Sequence, residues 1–312
     1  METNPIAEGG ALFAPLPQFA LLSVAGADAR AFLHGQLSND VEHQPADAAR
    51  RAGYCSAKGR LLASLLVIPH AEGFLLQLSR DLAAPIAKRL TMYVLRSKVK
   101  ITDTGEALTP FGVWGQGAHA RLRASGFEVP ESPMQVATGK SGTVVALGEQ
   151  RFLVLAPADA GVALAAGSTQ VAPELWTLAE IRAGLPLVTL PTQDQFVPQM
   201  ANFELIGGID FKKGCYPGQE IVARSQYLGK LKRRMYRGET DAGAVAAPLP
   251  GQDLFGAEPQ AIGTVVNGAS RPEGGYEFLA VMQSSAVEGG GALRLGASDG
   301  PLVRIAPLPY AV

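Results

Sequence analysis

The 312-residue chain contains only two cysteines, Cys55 and Cys215, which lie far apart in the sequence. Such a pair does not form the disulfide framework of a small secreted protein, and it lacks the close Cys/His spacing of a zinc site. Charged residues are also few, at 18%, and 27 Lys and Arg against 28 Asp and Glu leave a net charge of −1. Overall charge therefore predicts no direct nucleic-acid partner, and any such contact has to be local.

Long hydrophobic runs are absent as well. No run approaches the roughly 18 apolar residues of a membrane-spanning helix, and the Met1–Pro5 start has no basic or apolar export signal. We therefore expect a cytoplasmic protein with reduced thiols and no membrane partner. The four histidines share no i, i+4 spacing, so we expect no metal site. Hydrophobic residues make up 47%, which predicts a folded protein with a substantial core.

Hydrophobic periodicity predicts an α+β fold in three domains, 1–110, 111–235 and 236–312. In the first, a buried strand over 19–24 precedes a helix opened by Asp28, and a hairpin turns at 69–73. The second has strands and helices between 111 and 166. In the third, apolar strands alternate with Gly/Pro turns and predict a small β-barrel. The predicted barrel strands are 261–266, 276–282, 292–295 and 302–305.

A helix over 176–183 is followed by a mostly irregular stretch, 187–219, that is rich in Gly and Pro. Irregular segments of this length in compact chains are often functional. Its densest part, residues 207–224, includes Cys215 beside Lys212 and Lys213, and nearby cations favour the reactive thiolate form of a cysteine. Two interpretations stay open at this point: Cys215 is an exposed reactive thiol, or it is a small buried apolar residue.

The segment Lys-Lys-Gly-Cys-Tyr-Pro-Gly-Gln-Glu-Ile-Val-Ala-Arg, residues 212–224, closely resembles the signature of the YgfZ family of folate-binding proteins. This family is related to the T-protein of the glycine cleavage system. The resemblance extends over most of the chain, through residues 27–41, 55–60, 181–186, 195–199 and 306–310.

The resemblance implies a ring of three domains around a central hole that binds tetrahydrofolate, with a β-barrel as the C-terminal domain. It also implies an accessory role in assembling or maintaining iron–sulfur enzymes, including a radical methylthiotransferase that modifies tRNA. Folate and such client enzymes are the expected partners. Composition and spacing indicate none of these functions by themselves.

The resemblance also assigns site residues. Phe19 and Trp176 fall on two aromatic positions linked to folate, where an aromatic face suits a flat pterin. Phe19 departs from the family residue, because phenylalanine keeps the ring face but has no indole N–H. Cys215 is the candidate reactive thiol. The polar and turn residues expected to frame it are Lys212, Gly214, Tyr216, Gly218, Gln219, Glu220 and Arg224.

One departure concerns catalysis. The T-protein's methylene transfer needs a carboxylate in the strand after the Gly-rich turn, where this chain has Ala63 and Ser64. A methyl or hydroxyl group does not replace a carboxylate near pH 7, so we do not expect a classical aminomethyltransferase. Two rivals stay open: a folate-dependent one-carbon or aminomethyl transferase that uses Asp40 or another carboxylate such as Glu180, and a protein scaffold with a vestigial folate pocket. The cations of Lys230–Arg234 suit either a phosphate contact or a solvated linker.

Overall fold

The computed structural model describes residues 10–71, 73–227, 231–243 and 247–312. The Met1–Pro5 segment, which contributed to the expected cytoplasmic location, lies outside the described residues. Two compact units make up the chain, and each is assembled from several segments. The first comprises Met1–His34, Asp40–Arg50 and Leu65–Trp176, and the second Gly35–Asn39, Arg51–Ser64 and Thr177–Val312. The ranges 1–110, 111–235 and 236–312 remain predictions.

Strands predominate over helices in the described residues. The strands are β1 (Leu12–Pro15), β2 (Phe19–Ala25), β3 (Arg50–Cys55), β4 (Leu61–His70), β5 (Gly73–Ser79), β6 (Lys100–Asp103), β7 (Thr109–Trp114), β8 (Val136–Gly139), β9 (Gly142–Gly148), β10 (Arg151–Ala156), β11 (Thr169–Gln170), β12 (Arg233–Thr240), β13 (Asp253–Phe255), β14 (Ala261–Ser270), β15 (Tyr276–Gln283), β16 (Leu293–Leu295) and β17 (Leu302–Ala306). The α-helices are α1 (Ala29–His34), α2 (Ala83–Val94), α3 (Ala118–Ala124), α4 (Ala160–Ala165), α5 (Pro173–Arg182), α6 (Gln219–Tyr227) and α7 (Ser284–Glu288).

A five-stranded sheet has the order β3-β4-β5-β2-β6. The apolar run of β4 is buried along almost its whole length, and it pairs with β5 across the predicted hairpin, with Pro69 opposite Phe74. Helix α1 packs on β5, and α2 packs on β2 and β6 with Ile86 and Leu90 buried. The predicted strand at 19–24, the helix after Asp28 and the hairpin are therefore confirmed.

A six-stranded sheet has the order β11-β1-β7-β10-β9-β8 and belongs to the first unit. Helix α3 packs on β7 and α4 packs on β1, because both helices carry apolar residues that need a covered face. The core between them includes Phe13, Phe111, Leu122, Phe152 and Leu164. Within this core the rings of Phe13 and Phe111 stack at 5.7 Å between centroids.

A closed six-stranded barrel, β12-β15-β14-β13-β16-β17, belongs to the second unit. Its interior is filled by alternating apolar side chains, among them Leu254, Val265, Phe278 and Met282. The predicted β-barrel is confirmed. The short helix α7 was not predicted, because five residues are too few to produce a helical period.

The stretch between α5 and α6 is irregular apart from 3₁₀ turns at Leu190–Thr192 and Pro198–Ala201, as predicted. Gly184 ends α5 with a φ of +67°, and the Tyr310 hydroxyl donates to its carbonyl at 2.7 Å. The Asn202 side chain, fully buried, donates to the Met235 carbonyl at 2.8 Å.

Across the residues that the structure describes, no helix combines the length and the apolar character needed to cross a membrane.

Candidate functional site

The segment 212–224 leaves the irregular stretch and enters helix α6. Pro217 and Gly218 form a turn that the Gln219 N–H closes by donating to the Tyr216 carbonyl at 3.2 Å. Proline fixes φ and glycine supplies a positive φ of +78°, so both residue types suit this turn. Tyr216 points inward and is buried, whereas Cys215 beside it is exposed. The turn therefore presents the thiol at the surface on a fixed backbone.

Gly218 and Gly59 bring this turn against the turn over residues 56–60. A β-carbon on Gly218 would lie 2.3 Å from the Ser56 carbonyl oxygen and 2.6 Å from the Gly59 Cα. A β-carbon on Gly59, whose φ is +67°, would lie 2.7 Å from the Cβ of Ile221 at the start of α6. Only glycine fits at both positions, because the backbones themselves are in contact.

Asp194 fixes the turn formed by residues 56–60. The Ser56 hydroxyl donates to the Asp194 carboxylate at 2.7 Å, and the Arg60 guanidinium donates to the Asp194 carbonyl at 3.3 Å. The Leu61 N–H donates to the Phe196 carbonyl at 2.8 Å, which continues the contact along the chain. Asp194 was not predicted from the sequence. Its distinguishing feature, a left-handed φ of +57°, is visible only in the structure.

The two thiols have opposite environments. Burial and then the Asp194 charge raise the pKa of the Cys55 thiol to about 12, so Cys55 stays protonated at neutral pH. Burial and then the Cys55 charge raise the pKa of the Tyr216 hydroxyl as well. Cys215, by contrast, is exposed. Of the two interpretations of Cys215 given above, the exposed thiol is therefore the one that fits the structure.

Lys213 ties the motif to residue 37. Its ammonium group donates to the Leu37 carbonyl at 2.8 Å and lies 4.9 Å from the centre of the Tyr216 ring. The hydrogen bond and the cation–π interaction together fix the position of the ammonium group. The sequence predicted Lys213 only as a charge near Cys215. Its positioning role depends on a residue 176 positions away, so no local pattern indicates it.

The expected framework residues divide into two groups. Tyr216 is buried and Gly218 is in backbone contact with Gly59, so these two hold the turn. The others lie at or near the surface: Lys212, Gly214, Glu220 and Arg224 are exposed and Gln219 is half-buried. A buried amide that was not predicted stabilises α6 from inside, because Gln199 donates to the Val222 carbonyl at 2.6 Å.

The start of the motif is anchored by Ser38 and Asn39. The Ser38 hydroxyl donates to the Gly208 carbonyl at 2.6 Å, and the Asn39 amide donates to the Gly207 carbonyl at 2.7 Å. The Asp210 N–H donates back to the Ser38 carbonyl at 3.0 Å. Both polar side chains are buried, and buried polar groups of this kind are normally paired. Residues 207–210 are thus fixed just before Lys212.

The two aromatic residues linked to folate by resemblance are both buried. Trp176 is 0% exposed: the Trp114 ring meets it edge-on at 5.4 Å, and the Arg151 guanidinium lies 5.6 Å above its ring. Phe19 is 1% exposed within β2. Neither ring has an open face, so a pterin stacks on either one only if a packed neighbour moves.

One atom of Trp176 does suit a ligand. Its indole Nε1 is buried and, among the described residues, has no hydrogen-bond partner. A buried donor without a partner costs about 1–3 kcal/mol, and a ligand acceptor would remove that cost. The fit to a folate is therefore limited to this single donor.

The strand positions that lack a carboxylate are occupied by packed neutral groups. Ala63 is fully buried, and the Ser64 hydroxyl accepts a hydrogen bond from the Val188 N–H at 2.9 Å. Asp40 is engaged elsewhere, at 2.9 Å from the His43 ring and 3.1 Å from the His34 ring. Burial opposes ionisation of Asp40, but hydrogen bonds from His43 and the charges of His43 and His34 outweigh it and lower its pKa.

Two further expectations concern ligand groups. Within residues 10–71, 73–227, 231–243 and 247–312, no group of three or more His, Cys, Asp or Glu side chains is arranged to hold a metal ion. In the basic run before the barrel, Lys230 lies outside the described residues, and Arg234 is paired with Glu204 and donates to the Gln199 carbonyl at 3.0 Å. Arg234 therefore has a structural role.

Comparison with known proteins gives two kinds of likeness. The chain is 31% identical over 304 residues to the tRNA-modifying protein YgfZ of Serratia proteamaculans (strain 568). The aligned region covers 95% of this chain and 92% of that protein. It is also 31% identical over 307 residues to the tRNA-modifying protein YgfZ of Escherichia coli (strain SMS-3-5 / SECEC), with the same coverage. No family model matches the chain.

Among solved structures, the chain resembles the glycine cleavage system aminomethyltransferase T from Bartonella henselae. The TM-score is 0.77 over 97% of this chain and 86% of that one, at 18% sequence identity. At this identity the likeness establishes the fold and not the activity. The predicted α+β fold of the T-protein type, with its small β-barrel, is confirmed.

Proposed function

This chain belongs to the YgfZ family, and from that premise we propose that it acts in tRNA modification as a tetrahydrofolate-binding accessory protein that supports iron–sulfur enzymes. The clients we propose include a methylthiotransferase that modifies tRNA. The link to tRNA modification is supported by its relatives, which are tRNA-modifying proteins. The link to folate is supported by the resemblance of the site residues and by the likeness of the fold to an aminomethyltransferase.

The observation that carries the proposal is the presentation of Cys215. Its thiol is exposed, while the residues around it in sequence are fixed by the contact between Gly218 and Gly59 and by Lys213. A thiol held in this way is available to a partner protein or to a cluster that is being assembled or repaired, because thiolate is the form that attacks disulfides and binds iron. Cys55 does not offer this chemistry, because it is buried and protonated.

The alternative of a folate-dependent aminomethyl or one-carbon transferase has less support. The expected carboxylate is replaced by Ala63 and Ser64, and Ser64 already accepts a hydrogen bond from Val188. Asp40 is committed to two histidines, and its lowered pKa makes it a poor proton acceptor near pH 7. We therefore place the protein among accessory factors.

The thiol is tested in cells that depend on this protein for tRNA methylthiolation. We expect Cys215→Ala to reduce the methylthio content of tRNA, measured by mass spectrometry of digested nucleosides, to the level of cells that lack the protein. Cys55→Ala is the matched control, since it removes the other thiol, and we expect it to keep most of the modification. Unchanged methylthiolation with Cys215→Ala would refute a role for the thiol.

Folate binding is tested separately by calorimetric titration of the purified protein with tetrahydrofolate. We expect Trp176→Phe, which keeps a ring but removes the unpartnered N–H, to weaken binding about tenfold, or about 1.4 kcal/mol. Trp114→Phe is the matched control for loss of an indole in the same cluster, and we expect it to bind within about twofold of wild type. If the wild-type protein does not bind tetrahydrofolate, the folate proposal is refuted and the scaffold hypothesis is favoured.

A further inference from the structure

Helix α2 and the residues after it concentrate positive charge. Residues 82–102 contain no Asp or Glu and five cations, which are Lys88, Arg89, Arg96, Lys98 and Lys100. Four of these side chains are exposed and Arg89 is half-buried. Among the described residues, none of the five forms an ion pair with a carboxylate. Since the whole chain has a net charge of −1, this is a local basic surface on a protein that is otherwise acidic.

Exposed apolar side chains lie within the same surface. Met92, Tyr93 and Leu95 are 58%, 44% and 86% exposed. They do not serve the packing of α2, which buries Ile86 and Leu90. Leu95 follows the last helical residue with a φ of +47°, a left-handed conformation that is strained for a bulky side chain. A large apolar residue is thus held out in solvent among cations.

The surface next to Tyr93 has a shallow, open depression. A depression of about 750 Å³ is lined by Asp28 and by residues 93–97. The Arg89 guanidinium lies 5.8 Å from the centre of the Tyr93 ring. Asp28 is the negative group here, and its carboxylate accepts a hydrogen bond from the Lys98 N–H at 2.7 Å. An aromatic ring and a guanidinium therefore lie together at this depression, close to exposed cations that form no ion pair among the described residues.

We propose that this surface, which we call the α2 surface, binds RNA through its phosphates and an unpaired base. Lysine and arginine side chains attract a polyphosphate backbone, and a half-exposed tyrosine backed by a guanidinium is a platform on which a base stacks. A ring with a guanidinium on one side offers its other face to a flat base, whereas a bilayer presents no flat group to stack on it, so the Tyr93–Arg89 pair favours RNA over an anionic membrane. This inference goes beyond the proposed function and does not depend on folate or on Cys215.

The test measures binding of a fluorescein-labelled tRNA transcript to the full-length protein by anisotropy over a salt series. The main variant combines Lys88→Ala, Arg96→Ala and Lys98→Ala. The matched control combines Arg123→Ala, Lys140→Ala and Arg304→Ala, which removes the same charge from exposed positions elsewhere. Thermal melts of every variant are compared with wild type, and all the substituted cations are exposed, so we expect the proteins to fold.

We expect the α2 variant to bind about tenfold more weakly at about 0.1 M salt, and the control to stay within about twofold of wild type. The slope of log affinity against log salt should also decrease in magnitude. Each phosphate contact to a single strand contributes about 0.7, so the loss of three cations should reduce the slope by about two. Tyr93→Ala should weaken binding about fivefold, and Tyr93→Phe should not, because phenylalanine keeps the stacking ring.

Four outcomes would overturn the proposal. They are no binding of the transcript by wild type, equal weakening by the α2 variant and the control, equal binding by Tyr93→Ala and wild type, and sedimentation with phosphatidylglycerol vesicles in place of transcript binding. The third outcome would show that the surface attracts phosphates by charge but does not stack a base on Tyr93. Each of them leaves the folate titration and the Cys215 experiment unaffected, so failure of this proposal is distinguishable from failure of the proposed function.

Discussion

Gly218 and Gly59 are in direct backbone contact: a β-carbon on Gly218 would lie 2.6 Å from the Gly59 Cα and 2.7 Å from its nitrogen. This contact joins the turn that presents Cys215 to the turn that precedes β4. It needs glycine on both sides, for space and for the positive φ at each residue. The position of the exposed thiol therefore depends on two residues that have no side chain.

Gly218→Ala is expected to lower the free energy of unfolding by about 2–4 kcal/mol, because it adds a backbone clash to a left-handed conformation. Gly207→Ala is the matched control: its φ is +70°, but nothing lies within 4 Å of the added β-carbon. The control should cost only about 1–2 kcal/mol. Urea denaturation measures both, and equal losses would argue against the importance of the contact.

Alkylation should distinguish the two cysteines. In the native protein at about pH 8, iodoacetamide is expected to modify Cys215 and to leave Cys55 unmodified, because Cys55 is buried and its pKa is raised to about 12. Peptide mass spectrometry after denaturation and labelling with a second reagent locates each modification. Rapid labelling of Cys55 in the folded state would contradict the buried environment found here.

The packing of Trp176 is expected to depend on Gly112. A β-carbon on Gly112 would lie 2.4 Å from the Trp176 Cε3, so Gly112→Ala should cost about 1–3 kcal/mol of stability and shift the tryptophan emission. Gly139→Ala is the control on another strand of the same sheet, where the nearest atoms, at 3.2 Å, belong to the flexible Glu128 side chain. An unchanged emission spectrum in Gly112→Ala would show that the indole is not confined as described.

Stability in acid should depend on Asp40. Its pKa is lowered from 3.8 in the folded state, since bonds from His43 and the His43 and His34 charges outweigh the effect of burial. The folded state therefore binds this proton less readily than the unfolded state does, and the stabilisation is complete above about pH 4 to 5. It is lost as the pH falls below 3.8 and through the folded pKa.

Asp40→Asn should remove this part of the pH dependence. The unfolding free energy that is lost between pH 6 and pH 3 should become smaller by about 1 kcal/mol or less. Urea denaturation at each pH measures it, with Asp103→Asn as the control at an exposed carboxylate. An unchanged difference in Asp40→Asn would show that the histidine pairs do not stabilise the carboxylate.

Much of the fold was predictable from local patterns. The apolar strand at 19–24, the hairpin at 69–73 and the strands between Gly/Pro turns after 235 predicted β2, the β4–β5 pair and the barrel, because each pattern reflects one buried face of one element. The motif at 212–224 likewise indicates the family from the sequence alone. These signals are local or are carried by a long contiguous segment.

The sequence alone determined the fold class, the family and the segment that carries Cys215, because periodicity and a contiguous motif are both written along the chain. Only the tertiary structure decided that Cys215 is exposed and Cys55 is buried, that Ser56 pairs with Asp194, and that the Trp176 ring is closed. The physical reason is that exposure, the pKa of a thiol and backbone contact depend on which distant segments meet. Gly59 and Gly218 meet across 159 positions, and no local pattern records that contact.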